Sequence, residues 1–145
     1  MNIYLIGSLR NPLIPEVGNT LRELGYEVFD DWFAAGERAD DSWQSYETYR
    51  GRTYKEALAG YAAQHVFALD YTHLNRADIG ILVLPAGKSG HIELGYLAGR
   101  GKITYVLFDR VPDRYDVMYN FATGVCFSME ELKQCLTLNR PIGHA

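Results

Sequence analysis

Glu93 stands in Ser89-Gly90-His91-Ile92-Glu93-Leu94-Gly95-Tyr96, after the apolar run Ile79-Gly80-Ile81-Leu82-Val83-Leu84-Pro85 and the loop Ala86-Gly87-Lys88-Ser89-Gly90. The run reads as a strand buried on both faces. The spacing of Ile92, Leu94, Tyr96, Leu97 and Ala98 predicts a helix that Gly101 stops, with Glu93 in its first turn. Ligands of open parallel sheets sit at the carboxyl ends of the strands. Residues 87–93 then form part of a crevice wall, and Glu93 faces either a ligand or the helix dipole. The dipole alone accounts for a carboxylate there, at about 0.3–1 kcal/mol. Glycines on both sides of Lys88-Ser89 allow close backbone approach to a ligand above a rigid strand, which favours a site.

The loops after the first and second strands open on the same edge, making Ser8, Arg10, Asp30, Asp31, Trp32, Lys88 and Ser89 expected neighbours of Glu93. Carboxylates, an arginine and hydroxyls together suit a polar ligand with a cationic or phosphorylated centre. The first loop, Gly7-Ser8-Leu9-Arg10-Asn11-Pro12, has neither the Gly-x-x-x-x-Gly-Lys-Ser/Thr nor the Gly-x-Gly-x-x-Gly pattern, which argues against bound ATP or NAD.

These residues need a scaffold, and the pattern supplies one. Residues 2–6 read as a strand, 15–24 as a helix ending at Gly25, and 26–29 as a second strand, followed by a polar segment to about residue 41. From Trp43 a long helix is expected, with a break at Arg50-Gly51-Arg52; Tyr54, Leu58, Tyr61, Ala62, His65, Val66 and Leu69 recur at helical spacing. Asp70 falls at its end, with Leu74 and Ala77 beyond. Residues 103–108 form a strand, 112–121 a loop and short helix, 124–127 a last strand, and Ser128-Met129-Glu130-Glu131 a capping box before a final helix; the tail 139–145 is exposed. Strands alternating with helices predict an α/β, three-layer doubly wound fold with a flavodoxin-like five-stranded parallel sheet in the order 2-1-3-4-5, as one domain over residues 1–145.

Composition sets limits. With 48% apolar and 22% charged residues the chain is of the globular kind, and its net charge of −4 and scattered Lys and Arg argue against a nucleic-acid partner. No apolar run approaches a membrane span, and no basic signal-peptide head precedes the first strand, so a cytoplasmic setting with no membrane partner is expected. Cys126 and Cys135 are too far apart for a Cys-x-x-Cys site, and His65, His73, His91 and His144 show no ligand spacing, so structural thiols and no metal are expected.

Ile3-Tyr4-Leu5-Ile6-Gly7-Ser8-Leu9-Arg10, then Asp70 with Leu74-Asn75-Arg76-Ala77-Asp78, then Gly90-His91-Ile92-Glu93-Leu94-Gly95-Tyr96 with Gly101-Lys102, and more weakly Asp116-Val117-Met118, together resemble the nucleoside 2-deoxyribosyltransferases and their relatives, the deoxynucleoside 5′-monophosphate N-hydrolases. The resemblance runs from about residue 3 to residue 118. It implies that Glu93 attacks the anomeric carbon of a deoxyribosyl group and releases the base, water or a second base completing the reaction; a carboxylate suits an oxocarbenium-like centre. It implies that Tyr4 orients Glu93 and that Asp70 handles the proton on the departing base. Their plain alternatives are an ordinary strand aromatic and a helix-end Asp.

The resemblance further implies substrate contacts from Gly7, Ser8, Arg10, Ser89, Gly90, Asp116 and Met118, and no cofactor or metal. A Gly-Ser-x-Arg loop is similar to that of the monophosphate hydrolases, where it holds the 5′-phosphate, and Arg suits a bidentate phosphate; the alternative for Arg10 is a solvated turn residue, and for Ser89 a helix N-cap. Two positions depart from the transferase pattern. Gly87 replaces an Asp six residues before the nucleophile, which leaves a nucleotide-binding sensor without turnover as an alternative. Asp116 stands where Asn is usual, and a carboxylate there accepts bonds from a 5′-hydroxyl and repels a phosphate. In the transferases the residues at 116 and 118 reach across a subunit interface, so the resemblance implies a homodimer or higher homo-oligomer with a shared active site. Trp32 and Trp43 are either base-stacking residues or core.

Overall fold

The computed structural model describes residues 1–139, so the predicted tail beyond Asn139 lies outside the described residues. Five strands, β1 (Asn2–Ile6), β2 (Glu27–Phe29), β3 (Ile79–Val83), β4 (Ile103–Leu107) and β5 (Gly124–Cys126), form one parallel sheet in the order β2-β1-β3-β4-β5. This is the predicted α/β, flavodoxin-like order. Every residue of β3 is buried, as a strand covered on both faces requires.

Alternation along the strands divides the core in two. Ile3, Leu5, Ile79, Ile81 and Val83 pack under α1 (Leu13–Glu23) and α6 (Met129–Leu138). Tyr4, Ile6, Leu82 and Val106 face α4 (Tyr61–Arg76) and α5 (Lys88–Gly99) through Leu74, Leu94 and Leu97. Gly80 lies beside Tyr4 in the register, and a Cβ on it would collide with Leu97. The bare strand surface there lets α5 settle close to β1.

Several boundaries differ from expectation. The first helix starts at Leu13, and the expected long helix is three: α2 (Ala39–Tyr49), α3 (Tyr54–Ala59) and α4. The break at 50–53 falls where expected, with Gly51 at φ +78°; a second follows at Gly60, whose extended backbone ends one helix and caps the next. Asp70 accordingly lies within α4 rather than at its end. The apolar positions expected to bury this region do not: Tyr54, Leu58, Tyr61, Val66 and Leu69 are exposed. Helical spacing identifies an apolar face without saying what covers it.

At the other end, Ser128 Oγ accepts from the Glu131 N–H at 3.1 Å, but the Glu131 carboxylate accepts from Phe127 N–H at 2.8 Å, one residue before the N-cap of the expected capping box. Among the described residues no helix is long and apolar enough to cross a membrane.

Candidate active site

The largest departure from the sequence reading is at Glu93 itself. α5 begins at Lys88 with Gly87 as its N-cap, so Glu93 is in the second turn, outside the range where the dipole accounts for it. Ser89 is therefore an exposed helical residue and not the cap. Two interactions favour the early start. Gly87 O accepts both the His91 N–H, at 3.3 Å, and the His91 Nδ1–H, at 2.7 Å. Gly90 is buried against Leu82 and Ile6, where a Cβ would come within 3.0 Å of Leu82 Cδ1, so tertiary contact outweighs its low helix propensity.

Glu93, Tyr4 and Asp70, placed far apart in sequence, meet where β1, α4 and α5 converge. Tyr4 is buried on β1, and its O–H donates to the Glu93 carboxylate. The other oxygen, Glu93 Oε2, is buried with no hydrogen-bond partner. Burial raises the Glu93 carboxyl to about 7, with Tyr4 opposing the rise and Asp70 adding to it. Tyr4 is itself pushed far above its ordinary range, first by burial and then by the two carboxylates. Burial raises Asp70 as well, and His73 opposes that rise. A carboxylate that titrates near neutrality beside a second raised carboxyl is a pattern of acid–base and nucleophilic sites.

Two further residues frame this cluster. The Phe29 ring lies 5.3 Å from Tyr4 and stacks on His73 at 3.7 Å and 6°. For His73 the available sequence signal is its i, i+3 step from Asp70 on one helix face; Phe29 becomes a neighbour only through strand pairing, opposite Tyr4.

The remaining expected neighbours divide. Asp30 turns away to the Arg22 guanidinium of α1, 2.5 Å away, and Asp31 is exposed. Trp32 is half-buried, packs against both halves of the core and donates from Nε1 to Leu5 O at 2.8 Å, so it is structural. Trp43 packs edge-on against Tyr54 within the α2–α3 unit. Arg10 is exposed and reaches Asp41 of α2 at 3.4 Å, and Ser8 Oγ accepts the Arg10 N–H at 3.1 Å. Lys88 is exposed. Gly7 is used for packing: a Cβ there would lie 2.5 Å from Ile14 Cδ1. Buried Asn11, which the sequence did not single out, links the first loop to the end of β3, with Nδ2 3.5 Å from both Val83 O and Pro85 O.

Asp116 and Met118 are not brought to Glu93. Asp116 caps the 3₁₀ turn Val117–Phe121, accepting from Met118 N–H at 2.8 Å, and both side chains are exposed. The turn lies beside α5 through the His91–Tyr119 contact. His91 and Glu93 are two helical steps apart, roughly 200° around the axis. Glu93 faces β1 and α4, and His91 faces the turn on the opposite flank.

A separate cavity of about 310 Å³ opens between α1 and α6, on the other side of the sheet, lined in part by Leu13, Val17, Phe108, Phe127 and Met129. It contains none of the clustered acids.

No protein-family model matches the chain, and no curated protein does. Solved structures do. The 2-deoxyribosyltransferase of Bacillus psychrosaccharolyticus aligns with a TM-score of 0.62 at 16% identity, covering 98% of this chain and 93% of that one. The CMP N-glycosidase of Clostridium botulinum aligns with a TM-score of 0.56 at 16% identity, covering 94% of this chain and 99% of that one. At that identity the likeness is one of fold, and over nearly its whole length this chain has the architecture of two proteins named for N-glycosidic chemistry.

Proposed function

We propose that the protein cleaves or transfers the N-glycosidic bond of a 2′-deoxynucleoside, with Glu93 as the nucleophile. One observation carries the reading: a carboxylate raised to about 7 has one oxygen held by Tyr4 and the other without a hydrogen-bond partner, next to a second raised carboxyl. In the ionised form a Glu93 oxygen bonds to the anomeric carbon as the carbon–nitrogen bond breaks. The bonding pair leaves with the base, and protonated Asp70 supplies its proton. Water or a second base then displaces Glu93, and Asp70 takes up the proton released by the incoming group. The likeness in fold to a deoxyribosyltransferase and an N-glycosidase supports this reaction class.

The shared site belongs to the same reading. That Asp116 and Met118 sit on the far flank of α5 from Glu93 supports their serving another protomer's cleft. The exposed apolar side chains of α3 and α4 offer on the order of several hundred Å² to a second copy, the scale of one side of a stable interface. A 5′-monophosphate hydrolase is the second reading. Arg10 favours it, because its exposed pair with Asp41 is of a kind worth about 0–1 kcal/mol and a phosphate would readily displace the carboxylate.

Chromatography of base release from each deoxynucleoside and each deoxynucleoside 5′-monophosphate, with and without a second base, tests the proposal. Release must occur and must disappear in Glu93→Gln; a variant within about tenfold of the parent removes Glu93 as nucleophile. Release from monophosphates alone establishes the second reading.

A further inference from the structure

α5 is fastened on the flank opposite Glu93 by a pair that the proposed chemistry does not use. His91 Nδ1 lies 2.7 Å from Gly87 O, and a carbonyl only accepts, so Nδ1 carries the proton. In the neutral ring Nε2 is then an acceptor, and it takes the Tyr119 O–H at 2.9 Å. The Tyr119 ring is anchored in turn, packing edge-on against Phe108 at 5.2 Å, while Phe108 stacks on Phe127 at 5.0 Å. Tyr119 belongs to the 3₁₀ turn that Asp116 caps and that carries Met118. Apart from this clasp the turn's outer side chains, Val117, Met118 and Phe121, are exposed.

We infer that His91 and Tyr119 are positioning residues acting in trans: they fix the turn bearing Asp116 and Met118 to the helix that bears Glu93, so that one helix sets the nucleophile of one cleft and the sugar contacts of its neighbour's. The inference rests on the reading of the protein as an oligomeric deoxynucleoside enzyme. Gly87 O, the Tyr119 hydroxyl, the Asp116 carboxylate and the Asn120 amide, which donates to Val117 O, tie this assembly together, and none of them is among the groups acting on Glu93.

Tyr119→Phe keeps the ring on Phe108 and removes only the hydroxyl. A clasp that positions sugar contacts should raise KM for the deoxynucleoside about 3- to 10-fold with kcat within twofold, because ground-state and transition-state contacts weaken together. A merely structural role would instead lower the folded fraction and kcat and leave KM alone. Mixing Tyr119→Phe protomers with inactive Glu93→Gln protomers then separates trans from cis. In a mixed pair, the active Glu93 meets a turn with an intact clasp, and the parental KM returns. A KM that stays raised at every mixing ratio overturns the inference.

The nitrogen resonances of the His91 imidazole give a readout independent of turnover: one protonated and one bare nitrogen in the parent, with the bare one shifted in Tyr119→Phe. An unshifted resonance also overturns it. A parent that releases no base refutes the functional reading, whereas an active parent with an unchanged KM in Tyr119→Phe refutes the clasp's role alone.

Discussion

Replacing Tyr4 by Phe removes one donor from a carboxylate that burial has already raised to about 7, and leaves the ring against Phe29. Of the three influences on Glu93, burial and Asp70 favour the protonated acid and the Tyr4 hydrogen bond favours the ion. Taking away the last therefore moves the titration upward. A hydrogen bond to a charged group is worth about 1.5–3 kcal/mol, which corresponds to about one to two pH units at 1.36 kcal/mol each. With the parent half-ionised at pH 7, the variant holds only about a tenth to a hundredth of its Glu93 as carboxylate, and base release at pH 7 falls about 5- to 50-fold. The assay is the pH profile of kcat/KM for base release between about pH 5.5 and 9.5. The acid limb should move up by about one to two pH units, and the loss relative to the parent should shrink as pH rises, because the protonation of Asp70 enters both enzymes alike. A limb that stays in place, or a loss of the same size at every pH, refutes the reasoning that Tyr4 acts through the ionisation of Glu93.

The same shift predicts a stability effect of definite sign. Because Glu93 titrates higher in the folded state than its ordinary 4.5, folding retains the proton, and the group's contribution is lost as pH rises from about 4.5 to 7. Glu93→Gln should therefore stabilise the fold by about 3 kcal/mol at pH 8 and by almost nothing at pH 4.5; equal unfolding midpoints relative to the parent at both pH values would exclude this. Gly80→Ala sets a methyl against Leu97 and should lift α5 from β1, costing about 1–3 kcal/mol by urea unfolding and lowering base release as Glu93 moves from Tyr4; a variant of parental activity and stability contradicts the packing account. Arg52 lies 3.2 Å from the buried Glu47 carboxylate and Arg50 only 3.9 Å from its other oxygen, so Arg52→Ala leaves a buried charge with its weaker partner and should destabilise by about 1–3 kcal/mol, with Glu47→Gln milder. The reverse ranking in denaturant titrations would show that Arg52 is not the principal partner of Glu47.

What the sequence determined by itself is what period and punctuation can carry. The uninterrupted apolar run at 79–83, the periodic helices and the stops at Gly25 and Gly101, both at positive φ, are local properties, and they suffice for five parallel strands in the order observed. Tyr4, Asp70 and Glu93 were legible through resemblance of motif. Their convergence was not, because it depends on the approach of α5 to the sheet, which Gly80 and Gly90 permit by having no Cβ.

Where local preference and packing disagree, packing decides. Ser89 and Gly90 are poor helix formers by composition, yet α5 includes them because Gly90 is sealed against Leu82 and Gly87 O gains two donors from His91. Asp30 and Trp32 sit at the expected strand end, but their partners, Arg22 and Leu5 O, come from other elements and turn both side chains to structural use. The separation of Asp116 from Glu93 is likewise a tertiary fact. Two residues close in sequence, His91 and Glu93, point to opposite flanks of one helix, and only the folded chain shows that the turn at 117–121 rests on the flank away from the carboxylate.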